Sequence, residues 1–285
     1  MRCGIFLDRD NTLIANDGDL GDPSGVVLLP GAAWGVRALR EAGYAIAVVS
    51  NQGGVARGKY SVGAVELVNA ETERQLRREA AWTSAASLVE SWRYCPFHPD
   101  GSVSEFRREH PWRKPSPGML IDAAQSLGVD LTRSWMVGYQ ERDVEAGRAA
   151  GCRTILIARA NTDAEQAARS AADFVETDLL HAARRILRAD GHDGAMRWAA
   201  TSAARIVARP GALGDTRIAD EIQHAAREIA SSQGVVLVRS EVDLNGVLVE
   251  VVGEEMLALG LAAELRRTTN AARERRGESP LWTSP

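Results

Sequence analysis

Apolar residues fall along this chain in two rhythms. Short continuous runs at 5–7, 45–49, 135–137 and 154–157 read as buried strands, and between and after them apolar positions recur at helical spacing over 32–42, 62–79, 117–127, 143–150 and 178–188. Strands apolar on both faces that alternate with helices predict a parallel sheet covered by helices on both sides. Gly31, Gly43, Gly128 and Gly151 punctuate helix ends and turns in the expected way. The segment 94–117 is rich in proline, histidine and arginine and lacks periodicity, so it reads as a long loop, a kind of segment that in compact domains is usually functional.

The rhythm changes after residue 188. Ala189-Asp190-Gly191-His192-Asp193-Gly194 reads as a linker. Beyond it come an amphipathic helix over 215–231, strands over 235–239 and 247–252 joined by a turn containing Asn245-Gly246, and a long helix over 254–276. Two domains are expected: 1–190, an α/β, Rossmann-like doubly wound parallel sheet, and 195–285, a small α+β module without a catalytic constellation. The long last helix gives the module an expected dimerisation or regulatory role, with a homodimer as its product. Its arginines, Arg266, Arg267, Arg273, Arg275 and Arg276, are interspersed with Glu264, Glu274 and Glu278, which marks a solvated face.

Charge and composition remove several function classes. The formal net charge of -4 on 285 residues is shared evenly between the two parts, so neither offers the basic field that nucleic-acid binding draws on. No run reaches the ~18 apolar residues of a membrane span and none before Asp8 resembles a leader, so a cytoplasmic location is expected. Cys3, Cys95 and Cys152 are too few and too scattered for a disulfide framework. Of the 34 basic residues only Lys59 and Lys114 are lysines. Positions that keep a compact ammonium in such a background suggest a point charge directed at phosphate.

The chemistry collects at strand ends. Side chains alternate along an extended chain, so Asp8 and Asp10 can face one crevice at the carboxyl end of the first strand, where open α/β sheets bind ligands. There one carboxylate can attack or hold a metal while the other handles a proton. After the second strand, Ser50-Asn51-Gln52-Gly53-Gly54 with Ala56-Arg57-Gly58-Lys59 offers hydroxyl, amide and backbone donors suited to a phosphoryl group. Arg113-Lys114-Pro115 leads into a helix with a lysine able to neutralise a phosphoryl-transfer transition state. Finally Gly138-Tyr139-Gln140-Glu141-Arg142-Asp143 follows a strand and opens a helix, bringing further acidic residues to the same edge.

Four such motifs in this order, over residues 1 to about 188, resemble the haloacid dehalogenase superfamily of aspartyl-phosphate enzymes. Phe6-Leu7-Asp8-Arg9-Asp10, Ser50-Asn51-Gln52, Ala56-Arg57-Gly58-Lys59, Gly101-Ser102-Val103 and Arg113-Lys114-Pro115 look most like its heptose bisphosphate phosphatases; histidinol phosphate phosphatases share the first motif. The resemblance implies a magnesium-dependent phosphatase acting on a phosphorylated sugar. Asp8 would be the nucleophile, Asp10 the acid and base, and Ser50 and Lys114 the holders of the phosphoryl group. Asn16, Asp17, Gly18 and Asp19 would form the first specificity loop, and Asn51, Gln52, Arg57, Lys59, Arg113 and Gln140 would complete the substrate contacts. Magnesium would rest on Asp8, Asp10 and Asp143. Asn11 stands where many relatives have glycine, and Gln140 where relatives have a substrate-contacting lysine.

Two positions depart from the family pattern. Tyr139 occupies the place of a metal-binding aspartate, which leaves Asp143 or Glu141 as substitutes and implies weaker metal binding. The same departure motivates an alternative, a catalytically impaired phosphosugar-binding regulatory protein. In the long loop, where many relatives carry a structural zinc, Cys95 remains but Phe97, His110 and Trp112 replace the other ligands. Zinc is therefore not expected, and packing of Phe97, Phe106 and Trp112 is expected to hold the loop instead.

Overall fold

The structure, a computed structural model, describes residues 2–16, 18–158, 170–192, 194–195, 201–233, 235, 237–253 and 255–283. The chain divides into two compact units, Met1–Met196 and Arg197–Pro285. The first holds six parallel strands, β1 (Arg2–Leu7), β2 (Ala45–Asn51), β3 (Ser91–Cys95), β4 (Val129–Gly138), β5 (Arg153–Ile157) and β6 (Phe174–Glu176), in the order β3-β2-β1-β4-β5-β6. Helix α1 (Ala32–Glu41) contacts both α2 (Val62–Glu79) and α5 (Leu179–Ala189) on one side, and α3 (Gly118–Leu127) contacts α4 (Glu141–Ala150) on the other. This is the doubly wound α/β arrangement expected.

The apolar runs are central strands with both faces covered. Ile5, Phe6, Leu7, Val48, Val49, Trp135, Met136, Val137, Ile155, Leu156 and Ile157 are all buried, and each fully buried side chain of this kind contributes roughly 1.5–3 kcal/mol. On the α3 and α4 side Phe6, Val49 and Met136 pack against Met119, Leu120, Ala123 and Ala146. Strand order reverses between β1 and β4, which makes their carboxyl ends the topological switch point where such sheets open a crevice.

β4, β3 and β6 depart most from the expected set. β4 begins at Val129 and its register with β1 slips between Cys3 and Ile5; the Ser134 hydroxyl accepts the Gly4 N–H at 2.8 Å across that irregularity. β3 takes Tyr94 and Cys95 out of the expected loop, and β6 adds an edge of three residues. Ala189 and Asp190, expected in the linker, belong to the first unit: α5 runs to Ala189, and the Asp190 carboxylate accepts from Tyr44, Trp135 and Arg153. In the long loop Phe97 stacks on His110 at 4.4 Å and meets Phe106 at 5.7 Å, with Trp112 edge-on to His110.

The second unit is built from β7 (Thr201–Val207), α6 (Thr216–Ser232), β8 (Leu237–Asp243), β9 (Gly246–Val252) and α7 (Glu255–Arg275), with an antiparallel sheet in the order β7-β9-β8. β7 was not expected. Its core joins Ile206, Ile222, Val247, Val249, Val251, Leu261, Leu265 and Trp282. Gly246 opens β9 rather than lying in the turn, paired with Val207 of β7, and its lack of a side chain lets the Ile206 carbonyl approach where a Cβ would strike it.

Candidate active site

The site grows from the end of β1. Leu7 pairs with Val48 on one side and Val137 on the other, and the Asp8 N–H extends the ladder by donating to the Val137 carbonyl at 2.9 Å. Asp8 is thereby fixed at the switch point, 5% exposed. Just beyond it the backbone turns through Asn11, whose φ of 55° is left-handed, a conformation that glycine and asparagine tolerate. The Asn11 side chain closes the turn by donating to the Asn16 carbonyl at 2.6 Å and accepting the Asn16 N–H at 3.2 Å.

Lys114 is the centre of the electrostatics. Its buried ammonium donates to Asp8 at 2.8 Å and to the Val49 carbonyl at 2.7 Å, and it lies 2.7 Å from Asp143. Its backbone is clamped by Asn51, which donates to the Lys114 carbonyl and accepts its N–H, both at 3.0 Å. Burial alone would depress the Lys114 amine, but Asp143 and Asp8 overcome it and hold the group above its ordinary value. Burial raises the Asp8 carboxyl to about 7, with Lys114 opposing the rise and Asp143 and Asp10 adding to it.

Asp10 is held by three donors. Arg9, fully buried and anchored on Asn69 at 2.9 Å, reaches it at 3.1 Å; Asn16 donates at 2.9 Å and Gln52 at 2.8 Å. Gln52 also donates to Ser50 at 2.7 Å and accepts from the Tyr60 hydroxyl at 2.8 Å. A continuous Tyr60–Gln52–Asp10 chain therefore fixes the second carboxylate.

Together Asp8, Asp10, Asn16, Gly18, Asp19, Asn51, Arg57, Tyr60, Lys114, Tyr139 and Arg142 line a polar cavity of about 120 Å³. The structure thus gathers seven of the residues singled out in the sequence as nucleophile, acid and base, lysine or substrate contact on its wall besides Gly18. Asp17 lies outside the described residues. Five others stand elsewhere. Ser50 and Gln52 are buried behind the wall and hydrogen-bonded to each other. Lys59 is exposed on the loop after β2. Arg113 is half-buried and donates to the Phe97 carbonyl at 3.4 Å. The Gln140 amide turns onto the Tyr139 hydroxyl. Arg9, Tyr60 and Arg142 were not anticipated; a cation one residue before Asp10 and one immediately before Asp143 were the only signals available.

The two acidic substitutes for the position of Tyr139 are both engaged. Asp143 is buried behind Lys114, with one oxygen on the ammonium and the other accepting the Gln140 N–H at 3.0 Å. Glu141 turns away to the Ser170 hydroxyl and the Ala171 N–H. The Tyr139 phenol lines the cavity, and burial raises it, so it stays protonated at neutral pH. Among the described residues no three acidic, histidine or cysteine side chains converge on one point. Asp8 and Asp10 nevertheless share one polar cavity, and magnesium keeps several waters and is commonly held by one or two carboxylates plus a substrate phosphate. The residues present fit that water-rich mode.

The likenesses to known proteins agree with this geometry. Residues 111–182 match the family described as HAD-hydrolase-like. The chain is 36% identical over 180 residues, 61% of its length and 90% of the relative's, to the D-glycero-beta-D-manno-heptose-1,7-bisphosphate 7-phosphatase of Salmonella typhi. It is 37% identical over 150 residues, 53% of its length and 80% of the relative's, to the protein of that name from Rhodopseudomonas palustris. Among solved structures it resembles the D,D-heptose 1,7-bisphosphate phosphatase from B. bronchiseptica, complexed with magnesium and phosphate, with a TM-score of 0.55, 27% identity, and coverage of 66% of this chain and 99% of that one.

Proposed function

The chain belongs to the HAD-like hydrolase family and is a phosphomonoester hydrolase, and from that premise we propose that it removes a phosphate from a heptose 1,7-bisphosphate with the help of magnesium. The observation that carries this reading is the Asp8–Lys114 pair at 2.8 Å in a small polar cavity shared with Asp10. An Asp8 oxygen attacks the phosphorus while the bond from phosphorus to the sugar oxygen breaks, and Asp10 gives that oxygen a proton. Asp10 then takes a proton from water as the water oxygen attacks the phosphorus of the aspartyl phosphate, which releases inorganic phosphate and restores Asp8. Covalent catalysis of this kind divides one hard hydrolysis into two easier transfers.

Lys114 offsets the charge on the attacking carboxylate and on the phosphoryl oxygens, and its clamp on Asn51 prevents it from following the substrate out. Arg9, Asn16 and Gln52 orient Asp10 through both phases. Asp8 and Asp10 would hold a magnesium ion, which would supply the further positive charge that lets a carboxylate approach an anionic phosphate. The second unit gives the enzyme a homodimer contact in this reading, and the whole protein acts as a cytoplasmic enzyme of phosphosugar metabolism.

The test is magnesium-dependent phosphate release from D-glycero-D-manno-heptose 1,7-bisphosphate, compared with histidinol phosphate and with the Asp8→Asn protein. Turnover selective for the heptose and lost by at least 10³-fold in the variant supports the reading. Saturable binding without turnover would replace it with the phosphosugar-binding alternative.

A further inference from the structure

Of the three donors on Asp10, Gln52 is held in turn from behind. Its side-chain nitrogen lies 2.8 Å from Asp10 and 2.7 Å from the Ser50 hydroxyl, and its oxygen accepts from the Tyr60 hydroxyl at 2.8 Å. A carboxamide carries donors at one end and an acceptor at the other in nearly the same shape. Packing around the buried Gln52 side chain therefore does not decide which end meets Asp10. Polarity decides it. Oxygen toward Asp10 would set two acceptors against each other, and nitrogen toward Asp10 requires a donor for the buried oxygen behind it. Tyr60 is that donor. Burial raises its phenol to about 12, so the hydroxyl keeps its proton throughout the neutral range.

The Tyr60 ring is fixed on several sides. It directly precedes Ser61, whose side chain caps α2 by accepting the Ala64 N–H at 3.2 Å. The ring lies against Gly21, on the loop that follows β1, and against Gly54, in the turn after β2, and a Cβ at either glycine would strike it. Asp19 and Arg57 pair at 2.5 Å between the same two segments. We propose that Tyr60 is a positioning residue for proton transfer: its hydroxyl fixes the Gln52 amide, and the amide aims Asp10 at the oxygen that leaves with the alcohol. The role rests on Asp10 as the acid of the proposed function and is independent of which sugar is the substrate.

Its test uses phenyl phosphate and p-nitrophenyl phosphate, similar in shape but unequal in their need for an acid. The p-nitrophenolate departs without a proton, and phenolate departs far more readily with one. Their kcat/KM values report only the steps up to departure of the alcohol, so later hydrolysis of the aspartyl phosphate does not enter. Tyr60→Phe keeps the ring and loses the hydroxyl. It should lower kcat/KM on phenyl phosphate about five-fold more than on p-nitrophenyl phosphate, a fraction of the ~10²–10⁴-fold that a positioned acid supplies. In a Gln52→Met protein, where the link is already cut, Tyr60→Phe should add no further difference between the esters. Equal losses on both esters, the mark of a merely structural tyrosine, overturn the proposal, as does an undiminished effect of Tyr60→Phe in the Gln52→Met protein. Asp10→Asn separates the two readings. If it discriminates between the esters and Tyr60→Phe does not, the Tyr60 role alone fails; if it treats both alike, the acid role of Asp10 fails and takes the Tyr60 role with it.

Discussion

Asp8, the proposed nucleophile, stands in the wrong surroundings for a charge. Burial pushes its carboxyl to about 7, and the partial relief from Lys114 is shared with Asp143. Only the ionised form attacks, so in the absence of metal the rate falls as pH drops through about 7. A cation on Asp8 favours the ionised form and competes with the proton. The acid limb of kcat/KM is therefore expected to move to lower pH as magnesium is raised. Because Tyr139 presents a protonated phenol where a carboxylate would bind directly, the shift should still be growing at millimolar magnesium. Rate profiles at two fixed magnesium concentrations check this, and superimposable acid limbs would disprove it. At this scale the sequence revealed Asp8, Asp10 and Lys114 because each stands at a strand end or just before a helix. It could not reveal that Gln52 faces inward to Ser50, Asp10 and Tyr60, since side-chain direction in a glycine-rich turn follows no period.

The turn from β4 into α4 shows how an element positions the residue it carries. Gly138 ends β4 where a Cβ would collide with the Asp143 carboxylate, so the glycine is what allows Asp143 to fold back and meet both Lys114 and the Gln140 N–H. Gly138→Ala should displace that carboxylate, loosen Lys114 and lower kcat by about 10²-fold, the scale of a ~1 Å misplacement near the chemistry. Steady-state kinetics together with a melting curve check it; native kcat in the variant would show that Asp143 is not needed there. Elements of this kind were legible where apolar residues ran unbroken, as in β1, β2, β4 and β5. β3, with Trp92, Arg93 and Tyr94 half-exposed on a sheet edge, and β7, with Ala204 and Ile206 as its inward residues, were not. Both exist through pairing with β2 and β9, distant in sequence, rather than through a pattern of their own.

Each of the two units carries its own buried core, around Phe6 and Met136 in one and Val249 and Leu265 in the other, and every residue lining the cavity belongs to the first. The length matched by the Salmonella typhi phosphatase, 180 residues, is also near that of the first unit. Residues 1–196 alone are therefore expected to fold and to hydrolyse the substrate within about three-fold of the full-length rate, since nothing on the cavity wall is removed. The second unit has a different surface. Met256, Leu257 and Leu259 of α7 are 72%, 44% and 46% exposed, and adjoining exposed apolar side chains of this sort mark contact surfaces more often than free ones. The full chain should sediment as a dimer and residues 1–196 as a monomer, with Met256→Glu combined with Leu259→Glu converting the full chain to a monomer of unchanged turnover. A full-length monomer would remove the dimer contact from the proposed function, and loss of turnover on truncation would show that the second unit contributes to the catalytic state.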